Sequence, residues 1–206
     1  MKTYPSIPKD IIRDVHIYAF DKLDGSNIRA EWSAKRGFYK FGTKNQMIDA
    51  ATKPWGKAVQ LLNDKYAEDL AMVFKEQRWR DVICFFELCG PSSFAGLHNF
   101  EEKELTVVLI DANPFKQGIL EPRDFIRTFG HLDIPRVLYE GRAGVEFEQR
   151  VRKSTLPGMT FEGVVCKGPS QSKAQMPLMF KIKSQAWLDK LKIHCKDDDT
   201  LFKMLA

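Results

Sequence analysis

The chain has 206 residues, 44% of them hydrophobic, and a formal net charge of +5, which suits one globular domain, or one domain with a small appendage. It contains no apolar run of the roughly 18 residues needed to cross a bilayer, and Met1-Lys2-Thr3-Tyr4-Pro5 lacks the apolar block of a secretory signal. A soluble, cytoplasmic protein is therefore expected, and the mild basicity fits an anionic partner such as nucleic acid without specifying one.

In chain order, residues 15–32 read as strand, turn, strand: 15–20 are strand formers, Asp24-Gly25-Ser26-Asn27 supplies turn chemistry, and 28–32 alternate apolar and polar. A second short hairpin is expected over 37–42, and a long amphipathic helix over 55–78, where Val59, Leu62, Tyr66, Leu70, Val73 and Phe74 recur at helical spacing. Apolar strands follow at 81–88 and 105–110, then a short helix from Pro122, a strand at 136–139 and a helix at 145–153. Two last strands, 161–167 and 178–182, flank a Gly/Pro/Ser/Gln loop, and the tail from Gln185 reads as two short helices split near 196–199. The class is α+β, built on antiparallel strands.

Cys84, Cys89, Cys166 and Cys195 form no CxxC pair, and His194-Cys195 lacks companion ligands, so neither a disulfide framework nor structural zinc is expected. His16, His98, His131 and His194 share no motif, Trp55, Trp79 and Trp187 read as packing residues, and Ser92-Ser93 as a turn.

Charged clusters on apolar strands carry the chemistry: Lys22-Leu23-Asp24-Gly25-Ser26-Asn27, Phe85-Phe86-Glu87-Leu88-Cys89-Gly90, Phe161-Glu162-Gly163-Val164-Val165-Cys166-Lys167 and Phe180-Lys181-Ile182-Lys183. Lone charges in buried strands are costly unless they are paired or meet a ligand. Lys181 and Lys183 stand one residue apart, so a strand points both to one face. Two ammonium groups side by side call for an anion, either phosphate or carboxylate.

In that order the clusters resemble motifs I, III, IV and V of the covalent nucleotidyltransferases: DNA ligases, RNA ligases and mRNA capping enzymes. The extension to Asn27 and the short spacing resemble the RNA-ligase branch, particularly small RNA-repair ligases. The resemblance implies an ATP-grasp-like nucleotidyltransferase fold of antiparallel sheets flanked by helices, with the nucleotide pocket between the sheets. It implies an adenylation domain over 1–184 and a short helical tail over 185–206 with no OB domain.

By the same resemblance Lys22 is the nucleophile that takes AMP from ATP, and Lys181 and Lys183 stabilise the phosphate charge. Nearby cations would favour the neutral amine of a lysine whose ordinary pKa is about 10.4. Glu162 is the metal ligand, for Mg²⁺ or alternatively Mn²⁺. Asp24, Asn27, Lys44, Glu87 and Glu162 are the nucleotide contacts, with Lys35-Arg36 competing with Lys44 for the basic position between motifs I and III. The family places an aromatic ring over adenine from a strand before an Asp, whereas Val107-Val108-Leu109-Ile110-Asp111 has none. The implied activity is an ATP-dependent RNA ligase joining 5′-phosphate to 3′-hydroxyl ends. The alternatives are a DNA ligase core, an mRNA guanylyltransferase or a catalytically silent nucleic-acid-binding domain. A homodimer or a partner engaged through the tail is the expected aid to substrate capture.

Overall fold

The computed structural model describes residues 1–170, 176–196 and 198–206. Its elements begin with β1 (His16–Asp21), β2 (Ser26–Ser33), β3 (Gly37–Thr43), β4 (Met47–Ile48) and α1 (Gly56–Glu76). They continue with β5 (Asp81–Cys89), β6 (Thr106–Pro114), α2 (Pro122–Phe129), β7 (Val137–Arg142) and α3 (Val145–Arg152). Last come β8 (Gly163–Gly168), β9 (Leu178–Lys183), α4 (Gln185–Cys195) and α5 (Asp199–Leu205). Among the described residues the chain divides into two compact units. The first is Met1–Pro5 with Gly25–Ile134 and Met176; the second is Ser6–Asp24 with 135–170, 177–196 and 198–206.

The first unit is an antiparallel five-stranded sheet in the order β4-β3-β2-β5-β6. Strand parity puts Ile28, Ala30 and Trp32 on one face, and α1 covers that face. Tyr66 of α1 meets Phe86 at 5.2 Å between ring centroids, and Phe74 meets Trp32 at 4.9 Å. The helix buries Val59, Leu62, Tyr66, Leu70, Val73 and Phe74, the stripe its spacing predicts. Each such side chain contributes about 1.5–3 kcal/mol when fully buried. The opposite parity carries Asn27, Arg29 and Glu31 of β2, with Phe85 and Glu87 of β5 directly opposite Arg29 and Asn27.

The second unit is a four-stranded antiparallel sheet in the order β7-β1-β8-β9. Ile17, Ala19, Val164, Cys166, Phe180 and Ile182 form its apolar face and pack with Phe147 and Val151 of α3. The other parity of β8 and β9 holds Val165, Lys167, Lys181 and Lys183.

Three local expectations change. Residues 15–32 are not a hairpin: β1 pairs with β7 and β8, whereas β2 pairs with β3 and β5. The Asp-Gly signal is spent otherwise, because Asp24 takes a side-chain hydrogen bond and Gly25 is a close backbone approach. A Cβ on Gly25 would lie 2.2 Å from the Leu88 carbonyl oxygen. Nor do residues 37–42 turn back on themselves. They form one strand, the turn precedes Gly37 (φ +67°), and Gly42 pairs with Arg29 in mid-strand. Strand β6 runs on to Pro114, past an irregularity opposite Phe85/Phe86. The loop expected between the last two strands falls largely on 171–175, outside the described residues. The four cysteines are free thiols, and among the described residues no helix is long and apolar enough to cross a membrane.

Candidate active site

In the second unit the sheet brings Lys22, Glu162, Lys181 and Lys183 together. Lys22 follows β1, and its backbone N–H donates to the Gly163 carbonyl at 2.9 Å, which pins it to the start of β8. The preceding Asp21 is buried and accepts the Thr160 N–H at 2.9 Å and its hydroxyl at 3.0 Å, fixing the strand end. Gly163 pairs with Lys183 at φ +134°, where a Cβ would sit 2.1 Å from the Ile182 carbonyl oxygen. Only glycine fits there, so the Glu162-Gly163 pair lets a carboxylate and a lysine approach across two strands.

The Glu162 carboxylate, 4% exposed, is gripped from both sides. Lys22 Nζ stands 2.8 Å from Oε2 and Lys183 Nζ 3.2 Å from Oε1. Lys183 also donates to the Leu205 carbonyl of α5 at 2.8 Å and lies 3.5 Å over the Trp187 ring. Its pKa is pulled down to about 8, first by burial and then by the Lys22 and Lys181 ammonium groups, with Glu162 opposing. Burial sets the direction, and the neighbouring ammonium groups of Lys22 and Lys181 reinforce it. Lys167, buried on the same face, adds a further cation and lies 4.8 Å over the Phe20 ring.

Asp24 joins the cluster through a residue that sequence reasoning assigned to packing. Trp187 Nε1–H donates to Asp24 Oδ2 at 2.6 Å, while its ring faces the Lys183 ammonium. The buried Ser184 N-cap sets this geometry. Its hydroxyl accepts from the Trp187 N–H at 3.1 Å and donates to the Phe161 carbonyl at 2.7 Å, tying α4 to the segment that carries Glu162. The Lys-Ser dipeptide ending a strand before a helix is the signal that places this tryptophan.

Asn27, Lys44 and Glu87 belong to the first unit. Asn27 and Glu87 are cross-strand partners, and Asn27 Nδ2 donates to the Phe86 carbonyl at 3.3 Å, leaving its buried Oδ1 without a protein donor. Lys44 is exposed in the turn after β3, where the Thr43 hydroxyl accepts the N–H groups of Asn45 and Gln46, both at 3.3 Å. That turn is at Asn27's end of the sheet, since Thr43 pairs with Ile28, whereas Lys35-Arg36 occupies the turn at the far end of β2. Lys44 thus lies at Asn27's end of the sheet and Lys35-Arg36 at the opposite end.

Beside Asp111, where its own strand supplies no aromatic, stands the ring of Tyr4. The Tyr4 hydroxyl donates to the buried Asp111 carboxylate, and its ring lies 5.0 Å from Phe85. Burial, then Asp111, pushes the Tyr4 hydroxyl well above its ordinary pKa, so it stays protonated and donating. No strand pattern marked this residue. His98, unassigned from sequence, bonds Ser26 Oγ at 2.7 Å and Ser93 Oγ at 3.0 Å. Burial lowers its pKa, with Glu102 opposing.

Among the described residues no three His, Cys, Asp or Glu side chains cluster as a metal cage. Glu162 would be the residue to hold a Mg²⁺ arriving on nucleotide phosphates, since magnesium is commonly held by one or two carboxylates with water and phosphate oxygens.

The fold is similar to that of solved ATP-dependent RNA and DNA ligases. An archaeal ATP-dependent RNA ligase aligns with TM-score 0.67 and 16% identity over 100% of this chain and 56% of that one. An Aquifex aeolicus protein described as an ATP-dependent DNA ligase gives 0.64 and 16% over 100% and 57%. A mutant RNA ligase of Naegleria gruberi, solved with ATP and Mn, gives 0.59 and 14% over 86% and 52%. This chain thus spans about half the length of these solved chains. No model of a protein family matches the sequence, and no curated protein does.

Proposed function

We propose that the chain is the nucleotidyltransferase part of an ATP-dependent RNA ligase that works through a lysyl-AMP intermediate on Lys22. The observation that carries this reading is Glu162 held between Lys22 and Lys183, with Lys181 on the same face as Lys183. A nucleophilic amine beside cations suits attack on a phosphate.

In the first step Lys22 Nζ, having lost its proton, attacks the α-phosphorus of ATP. The N–P bond forms as the bond to pyrophosphate breaks. Lys181 and Lys183 receive the charge on the phosphate oxygens, and Glu162 orients Lys22; Glu162 would also be the residue to hold a Mg²⁺ entering with ATP, which would supply further charge stabilisation to the phosphates. In the second step a 5′-phosphate oxygen of RNA attacks the lysyl-AMP phosphorus, freeing Lys22 and leaving AMP on the RNA end. In the third step a 3′-hydroxyl attacks that 5′-phosphorus, the phosphodiester forms and AMP departs. All three are in-line phosphoryl transfers, so one set of lysines serves each. Trp187 positions Asp24 and Lys183. In the first unit, Glu87 is assigned to the ribose, and Asn27 and Lys44 to nucleotide or RNA ends.

The similarity to a protein described as a DNA ligase supports a second reading, in which the acceptor is a nicked DNA. Incubation with labelled ATP and Mg²⁺ or Mn²⁺ is expected to give an acid-stable adduct that mass spectrometry maps to Lys22, with none on a Lys22→Ala variant. Absence of the adduct with either metal, or its persistence in Lys22→Ala, overturns the mechanism. Labelled GTP in place of ATP tests for a guanylyltransferase, and paired RNA and DNA nicks decide the acceptor.

A further inference from the structure

At the end of the five-stranded sheet away from Asn27 and Lys44, the β2–β3 turn, the start of β5 and the residues after β6 enclose two adjoining grooves. Their volumes are about 460 and 410 Å³, and they share Asp81. Lys35, Arg36 and Arg80 line the first, and Lys2 and Lys116 the second. Against these five cations stand two acids, Asp81 and Glu31, and Glu31 is half-buried and accepts the Tyr39 hydroxyl at 2.9 Å. The track thus carries an excess of three positive charges.

Rings accompany the charges. Phe115, which lines the second groove, is 68% exposed, with Lys116 Nζ 5.5 Å from its centroid. The exposed Arg36 guanidinium lies 3.4 Å over the Tyr39 ring. A lone exposed phenylalanine needs no explanation. An exposed phenylalanine beside a cation-lined groove and a guanidinium plane laid flat on a tyrosine is a different surface. Single-stranded nucleic acid offers what it fits, phosphates for the cations and unpaired bases for the flat faces. A duplex hides its base faces in the stack, and an acidic peptide leaves the rings unused.

We propose that these two grooves form a docking track for a single polynucleotide strand, separate from the Lys22 cluster. The proposal rests on the reading that this chain acts on polynucleotides. Along β2, Glu31 stands four residues beyond Asn27 and Ser33 six, so at about 3.3 Å per residue the track begins roughly 13 Å from Asn27 along the sheet and reaches past about 20 Å.

The test is fluorescence anisotropy with a labelled 12-nucleotide oligouridylate lacking a 5′-phosphate, so that binding is read without ligation. Phe115→Ala is expected to weaken binding at least about fivefold, as loss of one stacking platform does. The Lys35→Ser/Arg36→Ser pair is expected to flatten the slope of log affinity against log salt by about 1.4, since each phosphate contact on a single strand contributes about 0.7. All three positions are exposed, and circular dichroism checks that each variant is folded. Lys22 adduct formation is expected to stay unchanged in them. Variants that bind as the parent does overturn the track, even if the adduct forms normally. So does a parent protein that ignores the oligonucleotide while binding poly-glutamate through these residues. If Lys22 takes no AMP yet the variants lose the oligonucleotide, the track stands and the ligase reading falls.

Discussion

The two sheets hold their polar residues by different means. On the four-stranded sheet the buried groups are ions that satisfy one another: Lys22 and Lys183 share Glu162, and Trp187 binds both the Lys183 charge and Asp24. On the five-stranded sheet Asp111 and Asn27 are held through neutral donors, Tyr4 to Asp111 and Asn27 to the Phe86 carbonyl. The first arrangement sets the charge of an amine and therefore its chemistry. The second fixes shape. Perturbing the ionic set should change adduct formation most, whereas perturbing the neutral set should be read mainly in stability.

The sharpest way to break this contrast is Glu162→Ala. It leaves two ammonium groups facing each other in a largely buried position. Removing one member of a buried ion pair costs about 3–5 kcal/mol, and loss of the group that orients the nucleophile is expected to slow adduct formation on the order of 100-fold. Urea unfolding and the rate of AMP capture read the two effects. A variant as stable as the parent would mean that the lysines find another counterion.

Next in size is the pH response of Lys183. Burial, then Lys22 and Lys181, brings its pKa to about 8, whereas an unfolded lysine keeps its proton to about 10.4. Between those values the unfolded chain binds the extra proton, so this residue's contribution makes stability rise with pH across that window and sets its penalty at its fullest below about 8. For chemistry the sign is opposite. If a charged Lys183 receives the phosphate, the second-order rate constant for adduct formation falls about tenfold per pH unit above about 8. Lys183→Arg, which stays protonated, is expected to lose that falling limb even if its absolute rate is lower. A limb that survives in Lys183→Arg belongs to another group.

The ionic half was largely legible in the sequence because charge is conspicuous inside apolar strands. Lys181 and Lys183 alternate with core residues Phe180 and Ile182, and the period of two alone puts both on one face. Gly163 beside Glu162 likewise marks a close approach. Other features were hidden for physical reasons. The Asp24-Gly25 turn signal describes a bend but not which sheet the next strand joins, so strand, turn, strand over 15–32 does not reveal that β1 and β2 belong to different sheets. Trp187 has a helical neighbourhood that suits packing, and nothing local shows that its indole N–H meets an acid 163 positions away. Tyr4 lies in no periodic segment, and its partner Asp111 is 107 positions distant. Long-range pairings of this kind follow from the fold rather than from local pattern.

The smaller predictions place one residue from each set side by side. Trp187→Phe keeps a ring under the Lys183 ammonium but removes the donor to Asp24, and a hydrogen bond to a charged group is worth about 1.5–3 kcal/mol. Adduct formation is expected to fall roughly tenfold with only a modest rise in the ATP concentration at half-maximal rate, because Asp24 loses the donor that holds it beside the cluster while the phosphate-binding charges remain. Tyr4→Phe also removes one hydroxyl or N–H from a carboxylate and nothing else. It deprives the buried Asp111 of a donor and is expected to cost about 1–3 kcal/mol of stability, seen as a lower urea midpoint. The rate of AMP capture at saturating ATP should nevertheless remain within about threefold of the parent, since no charge on the lysine cluster changes. Equal losses of rate in the two variants would erase the distinction between the sheets, because the neutral set would then be governing the amine as directly as the ionic one.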